Sequence, residues 1–143
     1  MPTFKNLLVP VDTDVTGDHA LAERLVDGAA DLAKALGAKV TLAHVALPVV
    51  EPGVLPVDGY TVAYRAMNDV LEARNAAASR ALAALKERSE KRGASTDTML
   101  VTRGGSVPER IIDAAAERGA DLIVLATHGR GGVARLVLGS VAE

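Results

Sequence analysis

The run DLIVLATHGRGG, Asp121–Gly132, decides how this chain is read. Its first half, Leu122–Leu125, is unbroken aliphatic sequence, and its second half holds Gly129, Gly131 and Gly132. An aliphatic run without polar alternation reads as a strand buried on both faces, as in a parallel sheet. Glycines directly after such a strand leave backbone N–H groups unshielded by any Cβ. That arrangement suits an anion such as the phosphates of a nucleotide. The chain then returns to Leu136-Val137-Leu138 and to Gly139-Ser140, where another helix start would add its own partial positive charge.

Three further aliphatic runs lie upstream: NLLVPV (Asn6–Val11), KVTLAHV (Lys39–Val45) and TDTMLV (Thr96–Val101). With DLIVLA (Asp121–Ala126) they make four expected strands. Helical patterns separate them. From about Gly17 to Leu36, apolar residues recur at Leu21, Leu25, Ala29, Leu32 and Leu36, and Gly37 stands where a C-cap takes a left-handed residue. From about Ala63 to Arg92, the stripe Met67, Leu71, Ala78, Leu82, Leu85 is expected to be core, closed by Gly93. A third helix is expected over Val107–Arg118. Ser106 and Glu109 form a capping box there, Pro108 sits in the first turn, and Gly119 ends it. A fourth helix is expected to begin near Val133 or Gly139. Strands alternating with helices predict right-handed crossovers and an α/β fold with a doubly wound parallel sheet. The segment Ala46–Tyr60, with three prolines and two glycines, excludes a long helix. It reads either as a flap over a ligand or dimer surface or as an apolar loop tucked on the domain.

Bulk composition narrows the function classes. A chain of 143 residues suits one domain, 1–143, with a core of its own. Cysteine is absent, which removes disulfides, thiolate metal sites and cysteine nucleophiles. The formal net charge is −2 with charges interspersed, against a nucleic-acid binder or a ligand of anionic membranes. The N-terminal MPTFKNLLVPVDTD carries neither a signal-peptide pattern nor a membrane span, so a cytoplasmic location is expected. Phe4, Tyr60 and Tyr64 are the only aromatic residues. A purine would therefore rest on aliphatic walls and backbone polar groups rather than on aromatic platforms.

Named phosphate motifs do not fit. G-x-x-x-x-G-K-[ST] is absent. Gly129–Ala134 matches G-x-G-x-x-A but follows the last visible strand, with too little chain beyond it for the acidic ribose partner of a dinucleotide site. His19, His44 and His128 show no metal-ligand spacing. His44 reads as a structural histidine, and Arg130 as either a phosphate neutraliser or a solvated surface group. No general base with a supporting partner is recognisable near the expected phosphate site. No catalytic residue is assigned, and any ATP hydrolysis is expected to be slow.

The residues resemble the universal stress protein family. Its ATP-binding members carry G-x-x-G, nine residues, then G-[ST]; here Ala126-Thr127-His128-Gly129 is followed nine residues later by Gly139-Ser140. The likeness extends to LLVPVD, LAHV, GSVPERII and ADLIVLATHGRGG, in the same order along the chain. The resemblance implies a three-layer α/β/α domain of the adenine-nucleotide α-hydrolase kind, with strand order 3-2-1-4-5. Its fifth strand would lie beyond the sequence at hand, which stops at Glu143. It further implies a homodimer that binds ATP, or another adenine nucleotide, as a regulatory ligand in stress response. Mg or Mn would be held through the phosphates. Carried over by position, Pro10, Val11 and Asp12 would lie beside the adenosine, and the backbone of Val45 would read the adenine edge. Ala126, Thr127, His128, Gly129, Arg130, Gly131 and Gly132 would wrap the ribose and phosphates. Gly139, Ser140 and Val141 would grip the terminal phosphates.

One point keeps a second reading open. Ala126 stands where the family has its first motif glycine, and a positive φ there would add strain of roughly 1 kcal/mol or more. A dimeric scaffold that acts through protein partners and binds no nucleotide is the alternative. An adenylating ATP pyrophosphatase is disfavoured, because PVDTDVTGD stands where that class has S-G-G-x-D-S.

Overall fold

A computed structural model describes residues 3–14, 18–46 and 61–126, with side chains from Ala63 in the last stretch. The elements are β1 (Asn6–Pro10), α1 (His19–Leu36), β2 (Lys39–Val45), α2 (Thr61–Lys91), β3 (Thr96–Val101), α3 (Val107–Glu117) and β4 (Leu122–Ile123). The four strands form one parallel sheet in the order β3-β2-β1-β4. This is the doubly wound α/β sheet expected from the sequence, less any fifth strand, for which the described residues offer none. The expected second helix and third strand recur within two residues. β4 is shorter than the aliphatic run, although the Val124 N–H still donates to the Leu8 carbonyl at 2.9 Å, extending the ladder.

The continuous apolar runs follow from burial on both faces. Along β1, Leu7 and Val9 point into one layer and Leu8 into the other. The first layer joins Val40, Leu42, Leu122 and Val124 to Leu25, Val26, Ala29, Ala30 and Ala33 of α1 and to Leu82 and Leu85 of α2. The second joins Leu8, Ala43, Val101 and Ile123 to Ala114 and Ala115 of α3. Small residues on the inner faces of α1 and α3 let the helices approach the sheet closely. The winding reverses between β1 and β4, because the chain runs outward through β2 and β3 and returns over the opposite face through α3.

Caps fix the helix ends. The Asp18 carboxylate accepts from the Leu21 N–H at 3.0 Å, so α1 starts one residue after Asp18. Ser106 Oγ accepts from the Glu109 N–H, as the capping-box pattern predicts. Gly37 adopts φ +67°, the left-handed C-cap that its position suggested.

The second helix departs from expectation at its N-terminal end. Ala78, Leu82 and Leu85 are buried, but Met67 is 55% exposed. The reason lies in the α1–α2 register. Arg88 grips Asp27 through two bonds of 2.7 and 2.8 Å, and Arg92 grips Asp31 at 3.0 and 2.8 Å. That constant offset of 61 residues sets the helices parallel and brings His19 level with Arg80. Residues 61–79 therefore run past the start of α1, over about 28 Å at 1.5 Å per residue. Met67 and Val70 lie on this overhang, where α1 has no turn left to cover them.

Among the described residues, no helix is long and apolar enough to cross a membrane.

Candidate functional site

The overhang of α2 and the carboxyl ends of the strands enclose a cleft of ≈ 430 Å³. Its floor is Pro10, Val11 and Asp12 at the end of β1, His44, Val45 and Ala46 at the end of β2, and Leu125 and Ala126 after β4. Leu21 and Leu25 of α1 and Leu71 and Ala78 of α2 wall one side, and Val107 and Ile111 of α3 the other. Open α/β sheets hold ligands at this place, outside the carboxyl ends of the strands and at the reversal of winding.

Of the positions expected from the sequence, Pro10, Val11, Asp12, Val45 and Ala126 come together around this one cleft. Thr127, His128, Gly129, Arg130, Gly131, Gly132, Gly139, Ser140 and Val141 lie outside the described residues. Ala126 is half-buried against the first core layer, and among the described residues no non-glycine residue has positive φ. The strain that an alanine would meet in a left-handed conformation therefore does not arise at Ala126.

The loop after β1 is held by its own polar groups. Asp12 Oδ1 accepts from the Asp14 N–H at 2.9 Å, an Asx turn at a residue that lines the cleft. The Val11 N–H donates to the Ala43 carbonyl at 2.8 Å, tying the loop to β2. His44 Nδ1 lies 3.0 Å from the Val11 carbonyl and 3.4 Å from the Thr13 nitrogen. One ring nitrogen cannot both donate and accept, and the shorter contact places the proton on Nδ1, donating to Val11. The structural role expected for His44 is thus its tie between β2 and β1, and the same ring also walls the cleft. Thr13 Oγ1 is buried and finds no partner among the described residues.

Charge in the described part of the cleft is mixed. Asp12, Asp14 and Asp18 line it together with Arg74, whose Nη2 lies 3.4 Å from Asp14 Oδ1. Sequence reasoning missed Arg74. It falls in the helical repeat between Leu71 and Ala78, but only the overhang of α2 brings that turn to the cleft. Among the described residues, no group of three or more His, Asp or Glu side chains converges to hold a metal ion.

Comparisons with known proteins agree with this fold. The model of the universal stress protein family matches residues 3–143. A protein of that family from Burkholderia pseudomallei is 28% identical over 88% of this chain and 83% of its own, with a TM-score of 0.59. A universal stress protein from Archaeoglobus fulgidus, solved in complex with dAMP, is 25% identical over 99% of this chain and 88% of its own, with a TM-score of 0.59. Another, from Lactobacillus plantarum, is 22% identical over 99% and 90%, with a TM-score of 0.66, a likeness that speaks for the fold. No curated protein matches the chain. With a family match across nearly its whole length and a parallel sheet wound in the same way, the chain belongs to the universal stress protein family.

Proposed function

We propose that the chain is an adenine-nucleotide-binding module of the stress response, with ATP as a regulatory ligand and at most slow hydrolysis. The observation that carries this is the convergence of Pro10, Val11, Asp12, Val45 and Ala126 on one cleft at the winding reversal. The dAMP complex of the Archaeoglobus fulgidus relative supports the ligand class. The walls suit a nucleoside: aliphatic side chains would flank the base, and the Asp12 carboxylate would accept from ribose hydroxyls. The aspartates of the described lining are a poor seat for a triphosphate, so on this reading the phosphates go to the main-chain amides of residues 126–132 and 139–141. A divalent cation, Mg or Mn, would be carried by the phosphates.

Isothermal titration of Mg-ATP into the purified chain tests this reading. Saturable binding is expected, with Gly129→Val abolishing it. No heat of binding up to millimolar nucleotide would remove the proposal.

One observation favours a second reading. Met67, Val70, Val107 and Ile112 are each more than half exposed, which suits a scaffold that acts through a second copy or a protein partner. Light scattering over a wide concentration range tests it. Mass growing with concentration in nucleotide-free protein supports the scaffold, and a strictly monomeric species counts against it.

A further inference from the structure

Resting on the nucleotide reading above, we propose that Asn75 determines base selectivity: its carboxamide binds the N6/N7 edge of an adenine in the cleft. Asn75 is half-buried on α2 and lines the cleft. It belongs to the stripe of α2 that turns inward, Leu71, Asn75, Ala78, Leu82 and Leu85, spaced four and three residues apart. The rest of that stripe is apolar and walls the cleft or packs in the first core layer. A carboxamide at this position has donors and an acceptor to satisfy, and the side chain of Asn75 makes no hydrogen bond among the described residues. The other polar side chains of the described lining are engaged or out of reach. Asp12 accepts from the Asp14 N–H, Asp18 caps α1, His44 donates to the Val11 carbonyl and Arg74 pairs with Asp14. Thr13 Oγ1 also lacks a partner among the described residues, but that oxygen is buried.

Topology sets this amide at the base rather than at the phosphates. Helix α2 packs on β2 and β3, whereas Ala126 follows β4, at the other end of the order β3-β2-β1-β4. A nucleotide whose phosphates go to residues 126–132 therefore lays its base toward β2 and the wall of α2. Leu71 and Ala78 beside Asn75 give the ring faces apolar contact. An asparagine side chain sets one acceptor beside one donor, the complement of adenine's 6-amino group and N7. The second amino hydrogen and N1 stay available to the main chain of Val45. Guanine presents two acceptors at the same edge, O6 and N7, and leaves the carboxamide oxygen facing one of them.

Calorimetry with the Mg complexes of ATP, 7-deaza-ATP and GTP on the wild type, Asn75→Ala and Asn75→Leu tests the proposal. 7-Deaza-ATP keeps the amino group and the phosphates and carries C–H in place of N7. The wild type is expected to bind ATP about fivefold tighter than 7-deaza-ATP, the worth of one hydrogen bond, and tighter than GTP. In both variants the preference over 7-deaza-ATP is expected to fall below about twofold, with ATP bearing the loss. Alanine leaves the space open and leucine matches the apolar stripe, so a loss common to both reports the missing amide and not a blocked cleft. A preference over 7-deaza-ATP that survives in the variants overturns the proposal, as does an equal loss of ATP and 7-deaza-ATP, or a wild type that binds either analogue as tightly as ATP. Each of those results leaves nucleotide binding itself standing. A wild type that binds none of the three overturns the nucleotide reading, and the proposal with it.

Discussion

The last turn of α2 is joined to the start of β3 by a buried pair of hydroxyls, and their proton order makes a quantitative prediction. Ser89 is 0% exposed and Thr96 5%. Thr96 Oγ1 donates to the Ala94 carbonyl at 3.0 Å, and the two hydroxyl oxygens lie 2.7 Å apart. Threonine has one hydroxyl proton. It is committed to Ala94, so Ser89 is the donor in the shorter bond. Thr96→Val keeps the shape but strips Ser89 of its acceptor and the Ala94 carbonyl of a donor inside the core. Buried groups left unpaired cost about 1–3 kcal/mol. The rescue open to Ser89, a bond to the carbonyl four residues back in its own helix, would hold the loss near the lower end. Ser89→Ala removes only the donor, while Thr96 keeps its bond to Ala94. Its expected cost is the net value of one hydrogen bond, about 0.5–1.5 kcal/mol. The double variant no longer strands the serine hydroxyl and should be more stable than the two single losses added together, by about 0.5 kcal/mol or more. Urea unfolding of the four proteins measures this directly, and in thermal unfolding each kcal/mol should move Tm by about 3 °C at this chain length. Strict additivity would refute the proton order.

Other consequences are simpler to read. Gly28 lies inside α1 with open space where a Cβ would stand, whereas Gly37 also has open space but sits at φ +67°. Gly28→Ala should therefore raise stability by about 0.5–1 kcal/mol and Gly37→Ala lower it by a similar amount, both visible as Tm shifts of opposite sign. Leu42 is 0% exposed in the layer under α1 and α2, so Leu42→Ala should cost about 2–5 kcal/mol in chemical denaturation. The hydrogen bonds from Arg88 hold the Asp27 carboxyl below the usual aspartate range, with Arg88 and Arg92 adding charge attraction against partial burial. A depressed folded-state pKa contributes stability above the ordinary value near 4, and that contribution is lost as pH falls through the folded value. Asp27→Asn should thus lower Tm at neutral pH and flatten its decline below about pH 4. An unchanged acid limb would show that Asp27 carries none of it.

How much was legible beforehand depended on where each signal lived. The strands were readable because their runs are buried on both faces, and alternate residues of β1 do enter different layers. The start of α3 was readable because Ser106 lies where a cap bonds locally, whereas α1, expected from about Gly17, begins after an Asp18 cap that its apolar spacing did not mark. The floor of the cleft was expected from the family resemblance, which carries Pro10, Asp12, Val45 and Ala126 over by position; in the structure they stand at or just past strand ends that meet along one edge. Arg74 and the exposure of Met67 were not readable in the same way. Both follow from the offset between α1 and α2, which depends on ion pairs between residues 61 positions apart. A periodicity identifies one face of a helix but says nothing of how far its neighbour extends along it. The tautomer of His44 was hidden for a similar reason, since its partner is a carbonyl on the adjoining strand.

The account turns on an adenine nucleotide occupying the cleft at the ends of β1, β2 and β4. Backbone amide chemical shifts, recorded by NMR as Mg-ATP is titrated into labelled protein, test that occupancy most directly. The account predicts saturable shifts concentrated at Val11, Asp12, Thr13, Val45 and Ala126, with the amides of β3 and the C-terminal half of α2 unmoved. Shifts confined to another face of the molecule, or none at millimolar nucleotide, would contradict it.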